Sequence, residues 1–237
     1  MSASKNKLFP HQIIDIKFQG GKAFVLKEME ITSRIIEKQL SKVKYSGQNR
    51  KLSSEVEKAR LPPFALAFYK LVFEFGKIPT EKELTDYYQA KYFTPKDDKN
   101  LKCFYGGKSI TIDKEGLEGR LMRTYPSLIR DFHFYLKCTE CKLFDEVTYS
   151  LSSDYFEGID LCIKYKEETF SVSMFIDSQR AKLYKEKKYK RHNYSDKNEI
   201  ILVIDLKKSS NRVSNFSLYS DEILIELISK IKDANKK

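Results

Sequence analysis

The chain has 237 residues, of which 41% are hydrophobic and 13% aromatic, enough to pack one large domain or two small ones. Its 44 Lys or Arg outnumber 33 Asp or Glu, and the net charge of +11 favours an anionic partner, nucleic acid before a membrane surface. No apolar run is long enough to span a membrane and MSASKNKLFPHQ lacks a signal-peptide core, so we expect a cytoplasmic protein without a membrane partner.

The N-terminal part predicts a hairpin followed by helices. Residues 14–26 alternate apolar and polar side chains around a Gly-Gly pair, as hairpins do. Apolar residues recur at helical spacing over residues 28–40 and again over residues 64–75. Thr80 and Glu83 have the spacing of a capping box, which predicts that a further helix begins there.

The segment GKIPTEKELTDYY resembles the turn and second helix of bacterial helix-turn-helix domains. That resemblance implies that Thr80, Lys82 and Glu83 would face the groove of DNA at the start of the second helix. The alternative is a capped pair of helices in any α-rich domain, which would have the same pattern.

The middle of the chain predicts a long helix. Residues 94–114 are a polar loop with a short hairpin, and the helical pattern beyond them contains Pro126, expected to begin or kink its longer second half. Arg120 and Arg123 suit either phosphate binding or ion pairs with neighbouring acids. Cys138-Thr-Glu-Cys141 has the spacing of a zinc knuckle or redox pair, but no second pair exists, so we expect reduced thiols.

From Phe144 onward the pattern changes to strands. Leu161 and Ile163 share one strand face with Asp160 and Cys162 on the other, and a second strand follows over residues 169–176. A strongly basic helix comes next. The unbroken apolar run of residues 199–206 then predicts a buried central strand, residues 207–215 a loop, and residues 218–231 a C-terminal amphipathic helix.

This order of a helix, antiparallel strands, a helix and a further strand, over residues 116–206, resembles the PD-(D/E)XK restriction-endonuclease-like superfamily. The resemblance implies an acid after a glycine in one strand, which Asp160 matches, and acid-x-Lys in the next. Neither Ser171-Val172-Ser173 nor Ser173-Met174-Phe175 supplies that acid or lysine. Asp177 and Lys182 are substitutes, since the family also places its lysine on the following helix.

In this interpretation Asp160 and Asp177 hold Mg²⁺, and Lys182 orients water or phosphate against a phosphodiester. No organic cofactor is expected. The predicted basic helix would grip the nucleic-acid backbone, with Arg120 and Arg123 assisting. Its nucleic-acid-binding residues are Arg180, Lys185, Lys187, Lys188, Lys190 and Arg191.

The sequence therefore predicts an α/β fold. A helical N-terminal region, residues 1–114 with the helix-turn-helix-like pair, precedes a nuclease-like mixed sheet flanked by helices over residues 115–237. The predicted function is DNA binding with metal-dependent cleavage, as in restriction, mobile-element or defence systems. The alternatives are an inactive nuclease fold that recruits a protein partner to DNA, and an unrelated α/β fold whose basic helix docks an acidic protein.

Overall fold

The computed structural model describes residues 17–19, 22–23, 31–47, 52–177 and 198–236, and it confirms the α/β class. Helices dominate the first half of the described chain and strands the second. The helices are α1 (Ser33–Leu40), α2 (Ser54–Lys58), α3 (Phe64–Phe75), α4 (Glu81–Tyr92), α5 (Lys114–Glu140), α6 (Leu151–Glu157) and α7 (Asp221–Ala234).

The strands form three sheets. A three-stranded sheet contains β3 (Thr94–Pro95), β4 (Asn100–Tyr105) and β5 (Lys108–Asp113). The main sheet has the strand order β2-β1-β6-β7-β8-β9, and a separate hairpin joins the last two strands of the chain. The strands of these two sheets are β1 (Lys17–Gln19), β2 (Lys22–Ala23), β6 (Glu146–Ser150), β7 (Leu161–Tyr165), β8 (Glu168–Ile176), β9 (Glu199–Ile204), β10 (Ser210–Val213) and β11 (Phe216–Tyr219).

The main sheet is mixed. β6, β7 and β8 are antiparallel neighbours, and β9 lies parallel to β8 in the register Val172↔Ile200. Since β8 and β9 are parallel, Asp177 and Asn198 lie at opposite ends of this strand pair, and the 20 residues between them make the connection. Three antiparallel strands after a long helix, with a parallel fourth, agree with the order of elements expected from the sequence.

Local chemistry explains where several helices begin and end. The Thr80 hydroxyl accepts a hydrogen bond from the Glu83 amide, and the Glu83 carboxylate accepts one from the Thr80 amide, so the predicted capping box is present. Gly76 ends α3 in the left-handed conformation at φ 66°, where a side chain would be strained. Pro126 lies inside α5, which runs as one helix through it.

One hydrophobic core spans both regions predicted from the sequence. Its buried residues run from Ile31 before α1 to Ile231 in α7. The predicted N-terminal hairpin is confirmed as β1 and β2, and it pairs with β6 of the nuclease-like region through Phe18↔Tyr149. The two regions are therefore joined in one sheet as well as in one core.

The prediction of a loop over residues 207–215 was wrong, as was the start of the last helix at Leu218. Residues 210–219 form the hairpin of β10 and β11, and α7 begins only at Asp221. β10 has no buried residue, so its sequence resembles a loop, whereas Phe216 and Leu218 of β11 are fully packed. The strand is stabilised by packing of β11 on α5, which sequence periodicity does not reveal.

Candidate functional site

Asp160 lies at the start of β7, directly after Gly158, which ends α6 at φ 74°. Its backbone amide donates to the Val172 carbonyl at 2.9 Å, and its Oδ2 accepts a hydrogen bond from the Met174 amide at 2.6 Å. The half-buried carboxylate therefore completes the backbone hydrogen bonding of β8 where β7 has not yet begun. This is a structural role for the residue that the sequence nominated as a metal ligand.

Ser173 occupies the neighbouring position on β8, where the family resemblance would place an acid. It is completely buried, and its hydroxyl lies 3.1 Å from the Gly158 carbonyl and 3.3 Å from Oε1 of Glu199. One proton can be donated to either acceptor. The structure thus brings Glu199, at the start of β9, to the strand that also carries the Asp160 contact. Sequence reasoning missed Glu199, although it is the one acid at the head of an apolar strand.

A group of tyrosines and aspartates surrounds this end of the sheet. The Tyr149 hydroxyl donates to Oδ2 of Asp154 at 3.2 Å, and the Tyr219 hydroxyl donates to Oδ1 of Asp131 at 3.1 Å. The rings of Tyr69 and Tyr149 lie 4.9 Å apart. We call Tyr69, Tyr149, Tyr219, Asp131, Asp154 and Asp160 the tyrosine–aspartate cluster.

Electrostatics link the members of this cluster. Burial raises the pKa of Tyr69 well above its ordinary value, and the carboxylates of Asp131, Asp154 and Asp160 raise it further. Burial, Asp131 and Asp160 likewise raise the pKa of Tyr219. The hydroxyls therefore stay protonated at neutral pH and act as hydrogen-bond donors to the carboxylates. Because these residues come from five separate elements and the segment before β7, sequence spacing gives no sign of the cluster.

The described residues do not assemble a metal site. Within the described ranges, no group of three or more His, Cys, Asp or Glu side chains could hold a metal ion. Asp177 is exposed just beyond β8, and it lies three residues, or about 10 Å of strand, past the Met174 amide that contacts Asp160. The structure therefore does not place the two predicted Mg²⁺ ligands beside each other.

Arg120 and Arg123 have internal partners. Nη1 of Arg120 donates to the carbonyls of Val56 at 2.5 Å and Ala59 at 2.9 Å. Arg123 pairs with Glu57 at 2.5 Å, and both side chains are about one-fifth exposed. These contacts hold α2 against α5, so the predicted role of the two arginines in binding nucleic acid has an alternative in the fold itself.

The helix-turn-helix-like pair is not basic at the predicted contact surface. Thr80 and Glu83 bind each other in the capping box, and Lys82 pairs with Asp86 at 2.5 Å in an exposed i,i+4 contact. Glu81 adds another acid in the first turn of α4. This balance of charge gives phosphate little reason to approach the start of α4.

The cysteine pair ends a long helix, as expected. Cys138 is buried in the last turn of α5, Cys141 follows that helix, and both thiols are free. Burial raises the pKa of Cys138 well above its ordinary value, so its thiol stays protonated at neutral pH and is a poor metal ligand or nucleophile.

The predicted basic helix and Lys182 lie outside the described residues, as do Arg180, Lys185, Lys187, Lys188, Lys190 and Arg191. Their sequence nevertheless locates the charge of the protein. Residues 178–197 contain eight Lys or Arg and two Asp or Glu, whereas residues 52–177 contain 18 basic and 21 acidic side chains. The positive excess therefore belongs to the connection between β8 and β9 and not to the body of the fold.

Two cavities open on the described surface. The larger, about 670 Å³, lies between the loop after α1 and the start of α4, and Glu81 there accepts hydrogen bonds from the amide and hydroxyl of Ser46. The smaller, about 350 Å³, lies between residues 59–65 and helices α5 and α6. Asp154 lines this second cavity, which therefore adjoins the tyrosine–aspartate cluster.

No family model, curated protein or solved structure matches this chain. No helix in the described part of the chain is long and apolar enough to cross a membrane.

Proposed function

We propose that this protein binds nucleic acid, with DNA as the favoured partner, through the basic segment of residues 178–197. One observation carries the proposal: the positive excess is concentrated in a single connection, whose ends at Asp177 and Asn198 belong to neighbouring parallel strands of the main sheet. A near-neutral body with one strongly basic segment is the charge distribution of a protein that contacts a phosphate backbone locally.

The architecture supports a nuclease-like core as the carrier of that segment. α5, the antiparallel strands β6 to β8 and the parallel strand β9 follow the order implied by the resemblance to the PD-(D/E)XK superfamily. In the version that the geometry supports best, the core binds DNA without cutting it and brings a partner protein to it. Asp160 hydrogen-bonds β8, and Ser173 replaces an acid.

Salt-dependent binding tests the proposal. Fluorescence anisotropy with labelled duplex, single-stranded DNA and RNA should give affinities whose logarithm falls linearly with the logarithm of salt concentration. Reversing Lys187 and Lys188 to Glu should reduce that slope by about two units, one for each phosphate contact. The matched control reverses Lys207 and Lys208, an exposed pair just after β9, and should leave the slope unchanged. Absence of salt-dependent affinity for all three nucleic acids would refute nucleic-acid binding.

Metal-dependent DNA cleavage is the second candidate, favoured by the electrostatic grouping of Asp131, Asp154 and Asp160 around Tyr69. Mg²⁺ sites for phosphoryl chemistry often use one or two carboxylates, with water and substrate phosphate as the remaining ligands. The described residues do not form such a site by themselves, so further ligands would come from residues 178–197 or the substrate.

The cleavage test is the conversion of supercoiled plasmid in Mg²⁺ or Mn²⁺. Cleavage by the wild type that disappears in Asp160→Asn, with folding retained, would establish the endonuclease. DNA binding without nicking in either metal would leave the recruiting subunit.

A further inference from the structure

We propose that the 350 Å³ cavity beside the tyrosine–aspartate cluster binds a single nucleotide, taking its base against apolar walls and its phosphate at Arg60 and Arg120. This inference deepens the proposed function and rests on it, because it names the unit of the nucleic acid that enters the fold. At the lower end of the range of ligand pockets, about 300–1,000 Å³, the cavity suits one nucleotide rather than an extended ligand.

The charge of the cavity is the first part of the argument. Two arginines line it against one carboxylate, that of Asp154. Arg60 is exposed, and among the described residues it has neither a hydrogen bond nor an ion pair. Arg120 binds only backbone carbonyls and lies with its guanidinium carbon 5.5 Å from the centre of the Phe64 ring, so no carboxylate neutralises it in the described fold. Two uncompensated guanidinium groups beside one cavity favour an anion, and Arg is the side chain that best matches phosphate.

The walls supply the second part. Leu61, Pro62, Phe64, Leu128 and Leu151 make most of the lining apolar. A free phosphate would gain nothing from these side chains, whereas a flat aromatic base would bury its faces against them. The combination of an apolar slot and guanidinium groups therefore fits a nucleotide better than an inorganic anion.

The position of the cavity supplies the third part. Asp154, which lines it, accepts a hydrogen bond from Tyr149, and Tyr149 neighbours Tyr69, whose pKa is influenced by Asp160. A nucleotide in the cavity would thus lie next to the cluster at the end of the nuclease-like sheet. Its Asp154 carboxylate can accept hydrogen bonds from the exocyclic amine of a base.

The first experiment measures mononucleotide binding to the full chain by amide chemical-shift perturbation. Deoxyadenosine monophosphate should saturate and shift amides of residues 59–66 and 151–154, and deoxyadenosine or inorganic phosphate alone should bind at least tenfold more weakly. Arg60→Ala should weaken the nucleotide about tenfold, as expected for the loss of a charge-assisted contact. Arg212→Ala, an exposed arginine on β10, is the matched control and should leave the affinity unchanged.

A second variant tests the cavity rather than the charge. Ala65 lines the cavity from the first turn of α3, so Ala65→Leu should fill the base site and weaken nucleotide binding while thermal unfolding stays close to that of the wild type. Equal affinity of the wild type, Arg60→Ala and Ala65→Leu would overturn the proposal. So would shifts confined to other parts of the chain.

A single-stranded oligonucleotide with one 2-aminopurine separates this inference from the proposed function. Burial of the base should change its fluorescence in the wild type and not in Ala65→Leu, while anisotropy reports binding of the whole strand. Strand binding with no fluorescence difference between the two proteins would overturn the nucleotide site and keep the proposed function. Mononucleotide binding lost in both variants, with no strand binding, would keep the site and overturn the proposed function.

Discussion

Removing the Asp160 carboxylate should destabilise the fold before it affects any chemistry. In Asp160→Ala the Met174 amide loses an acceptor at 2.6 Å and remains without a partner at a half-buried position on β8. A charge-assisted hydrogen bond of this kind contributes about 1.5–3 kcal/mol, so we expect the free energy of unfolding to fall by about 2 kcal/mol. In a chain of this size that corresponds to a decrease in Tm of about 4–8 °C.

Asp160→Asn separates the hydrogen bond from the charge. The amide oxygen of Asn can still accept from Met174, so this variant should lose about half as much stability as Asp160→Ala. Urea unfolding followed by circular dichroism, without DNA or metal, gives both values. Asp98→Ala is the control, since Asp98 is exposed in the loop before β4 and should change stability by less than about 0.5 kcal/mol.

The result that refutes this reasoning is an Asp160→Ala protein as stable as the wild type. The contact with Met174 would then be unimportant, and the carboxylate would be available to a ligand. A stability loss of the expected size means that the loss of DNA cleavage in Asp160→Ala cannot by itself identify a metal ligand. Asp160→Asn is therefore the variant on which a catalytic assignment should be judged.

Three further predictions follow from the fold. Thr80→Ala removes the capping-box hydroxyl and should cost about 1 kcal/mol in urea unfolding, whereas Thr94→Ala, an exposed strand position, should cost less. Burial lowers the pKa of His133 in the folded state, so unfolded chains bind more protons and stability should fall as the pH drops below about 6.5, by at most about 1.4 kcal/mol per pH unit. His133→Gln should flatten that slope between pH 7 and 5, and an unchanged slope would contradict the assignment. Burial raises the pKa of Cys103 to about 11 and that of Cys138 well above its ordinary value, so both thiols should resist a thiol reagent at pH 8 until the protein unfolds, and rapid native reaction of either would show the burial to be wrong.

Local features of the fold were predictable because neighbours in sequence produce them. The Thr80–Glu83 capping box and the left-handed Gly76 depend on residues three or four positions apart. Alternation in β7 and β8 and the apolar run of β9 predicted three adjacent strands of the main sheet. The hairpin of β10 and β11 was missed because its stability comes from contact with α5, which lies about 80 residues earlier.

The candidate site was predictable only in part. The sequence pointed to Asp160, and the structure places it at the end of β8 with a backbone partner that no motif could show. Glu199 and Asp131 reach this end of the sheet from separate elements, and Asp131 meets Tyr219 across 88 positions. Such pairs are chosen by helix and strand packing, so spacing in the chain carries no signal for them.

By itself the sequence determined the α/β class, the order of most elements and the concentration of basic charge in residues 178–197, because periodicity, caps and composition are local properties of the chain. Only the tertiary structure decided that β1 joins β6, that Arg120 and Arg123 hold α2 on α5, and that three tyrosines meet three aspartates beside β7. Those contacts form between residues far apart in the chain, where the burial of apolar surface fixes the geometry and polar partners are whatever that geometry brings within reach.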